Sequence, residues 1–225
     1  MDSGSSSVAQ DPAELFDVYR ADGEPTGRVK PRAEVHRDGD WHRAVHVWVA
    51  GQDDETGPFL LMQRRSLAKD TWPGVLDATV GGHYRAGESL TETLRETEEE
   101  IGVAVTMAEL LPLGVRVCAN EVPELGIYDR ELQDVFLLLE DRPLRDYRPH
   151  PVELAELIRI PLAPLIDLQR GQPEPIVVER IAPGDTNASQ ATIAISDFVP
   201  TVDRYVLRVA IAVDRVLGGE RDVLV

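Results

Sequence analysis

Gly81-Gly82-His83-Tyr84-Arg85-Ala86-Gly87-Glu88-Ser89-Leu90-Thr91-Glu92-Thr93-Leu94-Arg95-Glu96-Thr97-Glu98-Glu99-Glu100-Ile101-Gly102-Val103 is the stretch on which the reading of this chain turns. Two glycines follow what reads as a short strand, Val75 to Val80. Lacking side chains, they let the backbone approach a ligand closely and leave a carbonyl exposed. Gly87 reverses the loop, Ser89 is placed to cap a helix, and Gly102 to end it, so one helix is expected from Ser89 to Ile101. At about 100° per residue, Glu92, Glu99 and Glu100 lie within about 60° of Glu96. Leu90, Leu94, Thr97 and Ile101 form a separate apolar stripe, and Glu98 points elsewhere into solvent. Like charges at these spacings weaken a helix by about 0.2–0.5 kcal/mol per pair. An exposed acidic helix can tolerate that. A plain surface helix has no need of the preceding glycine pair, however. A hard divalent cation would neutralise the carboxylates, and magnesium prefers a few of them together with water and phosphate oxygens. Such a set suits hydrolysis of a phosphate anhydride.

Outward from this segment, period-two runs predict strands at 15–20, 43–50, 59–63, 103–118 (broken at Leu111-Pro112) and 132–139. The 43–50 and 59–63 strands pair as a hairpin across the acidic loop Gly51 to Gly57. A helix is expected near 162–170, then two short strands and a helix from about Val202 to Leu217. These elements make one α+β domain over 12–225, with a core of about 42–170 and a C-terminal extension, 171–225. Residues 1–11, Ser-rich and without period, read as a disordered tail. The 225 residues include 23 Lys+Arg against 40 Asp+Glu, a net charge of −17. That balance disfavours nucleic-acid polymers and anionic membranes. It leaves room for a small anionic substrate where metal ions and local basic groups reverse the field. Cys118 is the only cysteine, which precludes an internal disulfide and fits a reducing compartment. The N-terminus has no secretion signal, and the longest apolar stretch, Tyr205 to Leu217, is too short and too charged to span a bilayer. The expected location is cytoplasmic.

The glycine–glutamate segment resembles the Nudix box: Gly82, Glu88, Arg95, Glu96, Glu99, Glu100 and Gly102 occupy its fixed positions, and Thr97 replaces an aliphatic residue. Six residues separate Glu88 from Arg95 where the common pattern has seven, so the placement of Glu88 is open. The resemblance implies an α/β/α sandwich with a mixed central sheet, and an enzyme in which metal-activated water attacks a phosphorus of a nucleoside diphosphate-type small molecule. By the same resemblance, Glu96, Glu99, Glu100 and the Gly81 carbonyl would hold Mg2+, with Mn2+ as an alternative. Arg95 would orient a glutamate, and Glu96 or Glu99 would act as base. A further ligand would come from Glu131 or Asp134. Many relatives are homodimers, and nothing in this sequence decides between one copy and two.

A wider likeness, over roughly residues 13–170, is to Nudix proteins related to isopentenyl-diphosphate isomerase. It rests on Val35 to Trp48, Gln63-Arg64-Arg65-Ser66, Lys69 to Gly74 and Gly82-His83. His36, His42 and His83 match that enzyme's histidine ligands. Its cysteine before the Gly-His pair is replaced here by Gly81, which disfavours isomerase chemistry. His36, His42 and His46 remain open between structural and ligand roles. Arg64, Arg65, Lys69, His83 and Glu88 are the substrate-binding candidates, the arginines because their guanidinium forks match phosphate. Tyr84, Tyr128, Trp72 and Phe136 could stack on a base or belong to core or rim. A non-catalytic ligand sensor on the same fold is the second class of function. Against it stands the retention of mutually repelling glutamates.

Overall fold

The computed structural model describes residues 10–69, 71–172 and 175–225. The tail expected at 1–11 lies outside them except for Gln10 and Asp11. The sheet is organised around β3 (Trp41–Asp53), whose thirteen residues are long enough to pair with several strands in succession. β8 (Ile127–Leu139) runs parallel to it from Trp41–Arg130 to Ala50–Leu139. Along its other edge lie β6 (Val80–His83), opposite Ala44 to Val47, and β4 (Gly57–Arg65), opposite Val49 to Asp53, both antiparallel. The expected hairpin is therefore present. β7 (Leu110–Val122) pairs outside β8 with an irregularity between Pro112 and Gly114, at the break the sequence signalled. On the other flank β9 (Leu154–Pro161), β10 (Ile176–Ile181) and β11 (Ser189–Ile193) continue outward from β4. β1 (Leu15–Tyr19) and β2 (Pro25–Pro31) form a hairpin that meets β3 at Trp41.

Side chains alternate across a strand, and β3 divides the core accordingly. Trp48 and Ala50 belong to one apolar cluster, Val45, Val47 and Val49 to the other. α4 (Leu162–Gln169) and α5 (Tyr205–Leu217) cover the first face; Leu94 and Ile101 of the acidic helical segment cover the second. The result is the expected α/β/α arrangement around a mixed sheet, and the extension takes part in it through α5 as well as through β10 and β11.

Three expectations need correction. The strand placed at 75–80 is two pieces, β5 (Leu76–Asp77) and β6, and the glycine pair lies inside β6. Residues 103–109 are not strand; a single 3-10 turn, Met107–Glu109, precedes β7, because Thr106 and Glu109 form a capping box there. The acidic helix is interrupted at Leu94, giving α2 (Leu90–Thr93) and α3 (Arg95–Ile101). The Thr93 and Thr97 hydroxyls donate to the carbonyls of Ser89 and Leu94, competing with the backbone ladder. β2, β9 and α1 (Arg32–Asp38) had no sequence expectation.

The parallel register also separates two acidic residues of β8. Glu131 pairs with His42 and Asp134 with Val45, so their side chains leave the sheet on opposite faces. Asp134 accepts hydrogen bonds from Arg43 and from the Tyr84 hydroxyl, 2.7 Å away. Arg43 in turn lies over the Tyr84 ring, 4.6 Å from its centre. Asp134→Ala is expected to lower the unfolding free energy by about 2 kcal/mol in urea denaturation, by leaving these donors unpaired.

Candidate functional site

The glutamates assemble around Arg95. Its Nη1 donates to Glu96 and, at 2.9 Å, to Glu99; its Nε donates to Glu88 at 2.9 Å. Arg95 thus offsets the repulsion that the sequence pattern implies. Glu88 accepts from Arg95 and from the backbone of Arg85, which fixes the loop entering the helix despite the short spacing. Ser89 and Glu92 form a capping box, so Glu92 closes the helix start and does not join Glu96. Glu96 packs against Gly82, where a Cβ would collide with its Cγ and Cδ. Glu100 is 3% exposed and accepts from the Gly81 backbone (3.3 Å) and from Gln63 Nε2 (3.1 Å). Glu99 is half exposed. Packing therefore requires glycine at position 82, where the carboxylate needs the room; Gly81 contributes its backbone amide, and a Cβ there would meet only ordinary contacts with His46.

Burial raises both enclosed carboxyls. Glu96 is pushed up to about 7, with Arg95 opposing the shift. Glu100 is pushed up to about 8, with Lys69 opposing and Glu96 adding to it. A divalent ion would reverse both shifts by favouring the charged forms.

Beside them is a second cluster. His36 from α1, His42 from β3, His83 from β6 and Asp129 from β8 each offer one ligand atom, all within 4.8 Å of one another. Phe16 stacks on His42 and His83, with ring centres 5.3 and 5.0 Å away. His36 Nε2, His42 Nε2 and Asp129 Oδ1 are buried without a hydrogen-bond partner. The two nitrogens lie 3.6 and 3.5 Å from that oxygen, too far for good hydrogen bonds. His42 Nδ1 faces the Asp40 carbonyl at 3.2 Å, which makes Nδ1 the protonated nitrogen and leaves a lone pair on Nε2. Burial holds these imidazoles neutral: His36 is brought down to about 2, His83 to about 3, and His42 is also lowered. Burial together with the neighbouring Glu131 charge raises Asp129. Unpaired buried atoms of this kind each cost about 1–3 kcal/mol, and a cation would satisfy all of them. The residues fit a metal ion, and imidazoles with carboxylates suit Mn2+ or Zn2+ better than Mg2+. His83 Nε2 donates to Glu131 Oε1 at 2.8 Å while its Nδ1 faces Arg32 at 3.0 Å, so ligation through Nε2 requires Arg32 to release Nδ1.

Both clusters border one cavity of about 710 Å³. Among the substrate-binding candidates, Arg65, Lys69 and His83 line it; Arg64 and Glu88 do not. Arg64 alternates to the opposite side of β4 from Arg65 and binds the Gly74 carbonyl and Asp197. Lys69 pairs with Glu153, and Arg65 with Asp77 and the Thr71 carbonyl. Of the aromatic candidates, Trp72 lines the cavity, Tyr84 and Phe136 are core, and Tyr128 is not among the lining residues. Sequence reasoning missed Asp129, Arg32 and Arg85. Asp129 was legible as the partner of Glu131 two positions along a strand. Arg32 was legible only once 32–38 is known to be helix, which sets it one turn before His36. Arg32 is 4% exposed and makes no ion pair among the described residues, so a buried positive charge faces the cavity next to His83.

A family model described as NUDIX domain matches residues 40–177. The chain is 40% identical over 151 residues to Nudix hydrolase 3 of Arabidopsis thaliana, a match covering 66% of this chain and 19% of that protein. It thus spans about a fifth of that relative's length. It is 35% identical over 129 residues to the isopentenyl-diphosphate delta-isomerase of Escherichia coli, covering 57% of this chain and 68% of the isomerase. In fold it resembles a crystal structure from Deinococcus radiodurans, with a TM-score of 0.50 and 21% identity, covering 71% of this chain and 91% of that one.

The raised carboxyls give a signed pH dependence. Glu96 and Glu100 favour folding while protonated, and that contribution is lost as pH rises through about 7 and 8. The depressed histidines act oppositely, but their contribution is complete above the unfolded histidine value of about 6.5. In EDTA the melting temperature is expected to fall between about pH 6.5 and 8.5. Added divalent metal is expected to restore it, and Glu100→Gln to flatten the fall, both read by differential scanning fluorimetry.

Proposed function

The chain belongs to the Nudix family, and from that premise we propose that it hydrolyses the diphosphate linkage of a small molecule with a divalent cation held by Glu96, Glu99 and Glu100. The observation that carries this reading is the pair of carboxylates, half-buried Glu96 and buried Glu100, set against Gly82 and Gly81 at the wall of a cavity that also holds basic side chains. A cation bound there supplies Lewis-acid activation of water and screens the charge that develops on phosphate. Arg95 holds Glu96 and Glu99 in place. Glu96, held by Arg95 against Gly82, is the proposed acceptor of the proton from that water. Arg32 and Arg65, with Lys69, present positive charge to the phosphates. The Gly81 carbonyl belongs to the same proposed ligand set. The magnesium expected from the sequence suits the glutamates; the histidine cluster with Asp129 and Glu131 would take a second, nitrogen-preferring ion.

The isomerase reading has one observation in its favour, the His36–His42–His83–Asp129 cluster, since the Escherichia coli relative carries the isomerase name. Its chemistry would need a thiol at position 81, which is glycine. Cys118 is buried on β7, and its thiol is pushed up to about 12 by that burial, with nearby carboxylates adding to the shift. No helix among the described residues is long and apolar enough to cross a membrane.

A panel of nucleoside diphosphate compounds and simple diphosphate esters, assayed with magnesium and with both phosphomonoester and phosphate products detected, tests this reading. Turnover is expected for at least one member and none in EDTA. Conversion of isopentenyl diphosphate to its isomer, with no compound of the panel hydrolysed, would overturn it. On the substrate so found, Glu96→Gln and Glu100→Gln are each expected to lower kcat by roughly 10²- to 10⁴-fold. Asp134→Asn, at a residue that does not line the cavity, is expected to leave it within about threefold, a factor worth under 1 kcal/mol.

A further inference from the structure

His46 stands apart from the histidine cluster, two alternations further along β3 than His42, and lines the same cavity. Its Nδ1 lies 3.1 Å from the hydroxyl of Tyr205, the first residue of α5. That hydroxyl also accepts a hydrogen bond from Trp48 Nε1 at 2.9 Å. An indole nitrogen can only donate, so the phenol accepts from Trp48 and its own proton is left for His46 Nδ1. A neutral imidazole that accepts at Nδ1 carries its hydrogen on Nε2. The edge bearing Nε2 faces Gly81: a Cβ built there would lie 3.6 Å from both Nε2 and Cδ2 of His46. Nε2 has no hydrogen-bond partner among the described residues. It is therefore a donor presented beside the glycine whose backbone amide binds Glu100.

The relay is held from the C-terminal extension. Arg116 of β7 grips Asp203 through Nε at 2.7 Å and Nη2 at 3.1 Å. The same guanidinium lies 4.0 Å from the centre of the Tyr205 ring and donates to Gln133 at 2.8 Å. Trp48 is fully buried, and Tyr205 is 3% exposed where it borders the cavity. The extension consequently does more than complete the sheet; it sets which nitrogen of His46 faces the cavity.

We propose that His46 is a substrate-contacting residue, fixed in its Nε2–H form by Tyr205, that donates a hydrogen bond to an oxygen of the diphosphate bound beside Gly81. This rests on the diphosphate-hydrolase reading above. A preset neutral donor there stabilises charge developing on oxygen without having to reorient as the reaction proceeds.

The test uses the full-length protein with 15N-labelled histidine and, as probe, methylenediphosphonate with magnesium, a diphosphate analogue that cannot be hydrolysed. Long-range 1H–15N spectra, with His46 assigned through His46→Gln, are expected to show Nε2 protonated and Nδ1 unprotonated, and the Nε2 proton to shift as the probe saturates. By calorimetry, His46→Leu is expected to weaken probe binding about fivefold, the size of one neutral hydrogen bond. His46→Gln, which returns an N–H near the same place, is expected to stay within about twofold. Tyr205→Phe, which keeps the ring and its packing, is expected to give a mixture of the two histidine forms. A wild-type His46 protonated at Nδ1, or probe binding that leaves the Nε2 proton unmoved, would overturn the proposal while leaving the hydrolase reading intact. A wild-type protein that binds no probe at all would remove the diphosphate reading, and this proposal with it.

Discussion

Glu96 rests against the α-carbon of Gly82, and no other residue type could occupy that position without displacing it. From this contact the arrangement of the site follows. A carboxylate this deep is costly unless donors or cations meet it, and Arg95 is the donor at hand. Arg95 in turn fixes Glu88 and Glu99. Glu100, on the next turn, is met by the Gly81 amide and by Gln63. Burial is what chiefly raises both carboxyls, with neighbouring carboxylates adding to the rise. The proposed cation would favour the charged forms of both.

Strand alternation distributes the remaining chemistry. On β3, His42 and His46 share a face with Trp48, while Val45, Val47 and Val49 fill the opposite core. The parallel pairing of β8 sets Glu131 beside His42 and sends Asp134 to the other side. One face of the sheet therefore carries the imidazoles, Glu131 and the extension that holds Tyr205. The helix bearing the glutamates packs on the other, and the side-chain-free Gly81-Gly82 pair lies between them. The cavity walls combine acidic, imidazole and basic groups, so a chain of strongly negative net charge can still present local positive charge to phosphate.

Much of this could be read from the residues. Ser89 and Gly102 cap and end the helical segment as their positions suggest, whereas Gly82, expected to admit a ligand, makes room for the Glu96 side chain. The strands with clear period two, near 43–50, 59–63 and 132–139, were legible for the same reason. What was not legible depends on register and tertiary packing. Choosing between Glu131 and Asp134 required knowing which β8 residue lies opposite His42. Arg64 and Arg65 are chemically alike, and only their alternation on β4 separates them. The interruption at Leu94 comes from two threonine hydroxyls whose bonding is invisible in a helical wheel. The pairing of His46 with Tyr205 spans 159 positions, and no local pattern announces a contact of that range.

The central claim is that the enclosed glutamates exist to hold a divalent ion. It is tested most directly by diffraction from crystals grown with manganese and methylenediphosphonate, with data collected at the manganese absorption edge. The account predicts an anomalous peak within coordination distance of the Glu96 and Glu100 carboxylates. Fully ordered glutamate side chains with no such peak at saturating manganese would contradict it.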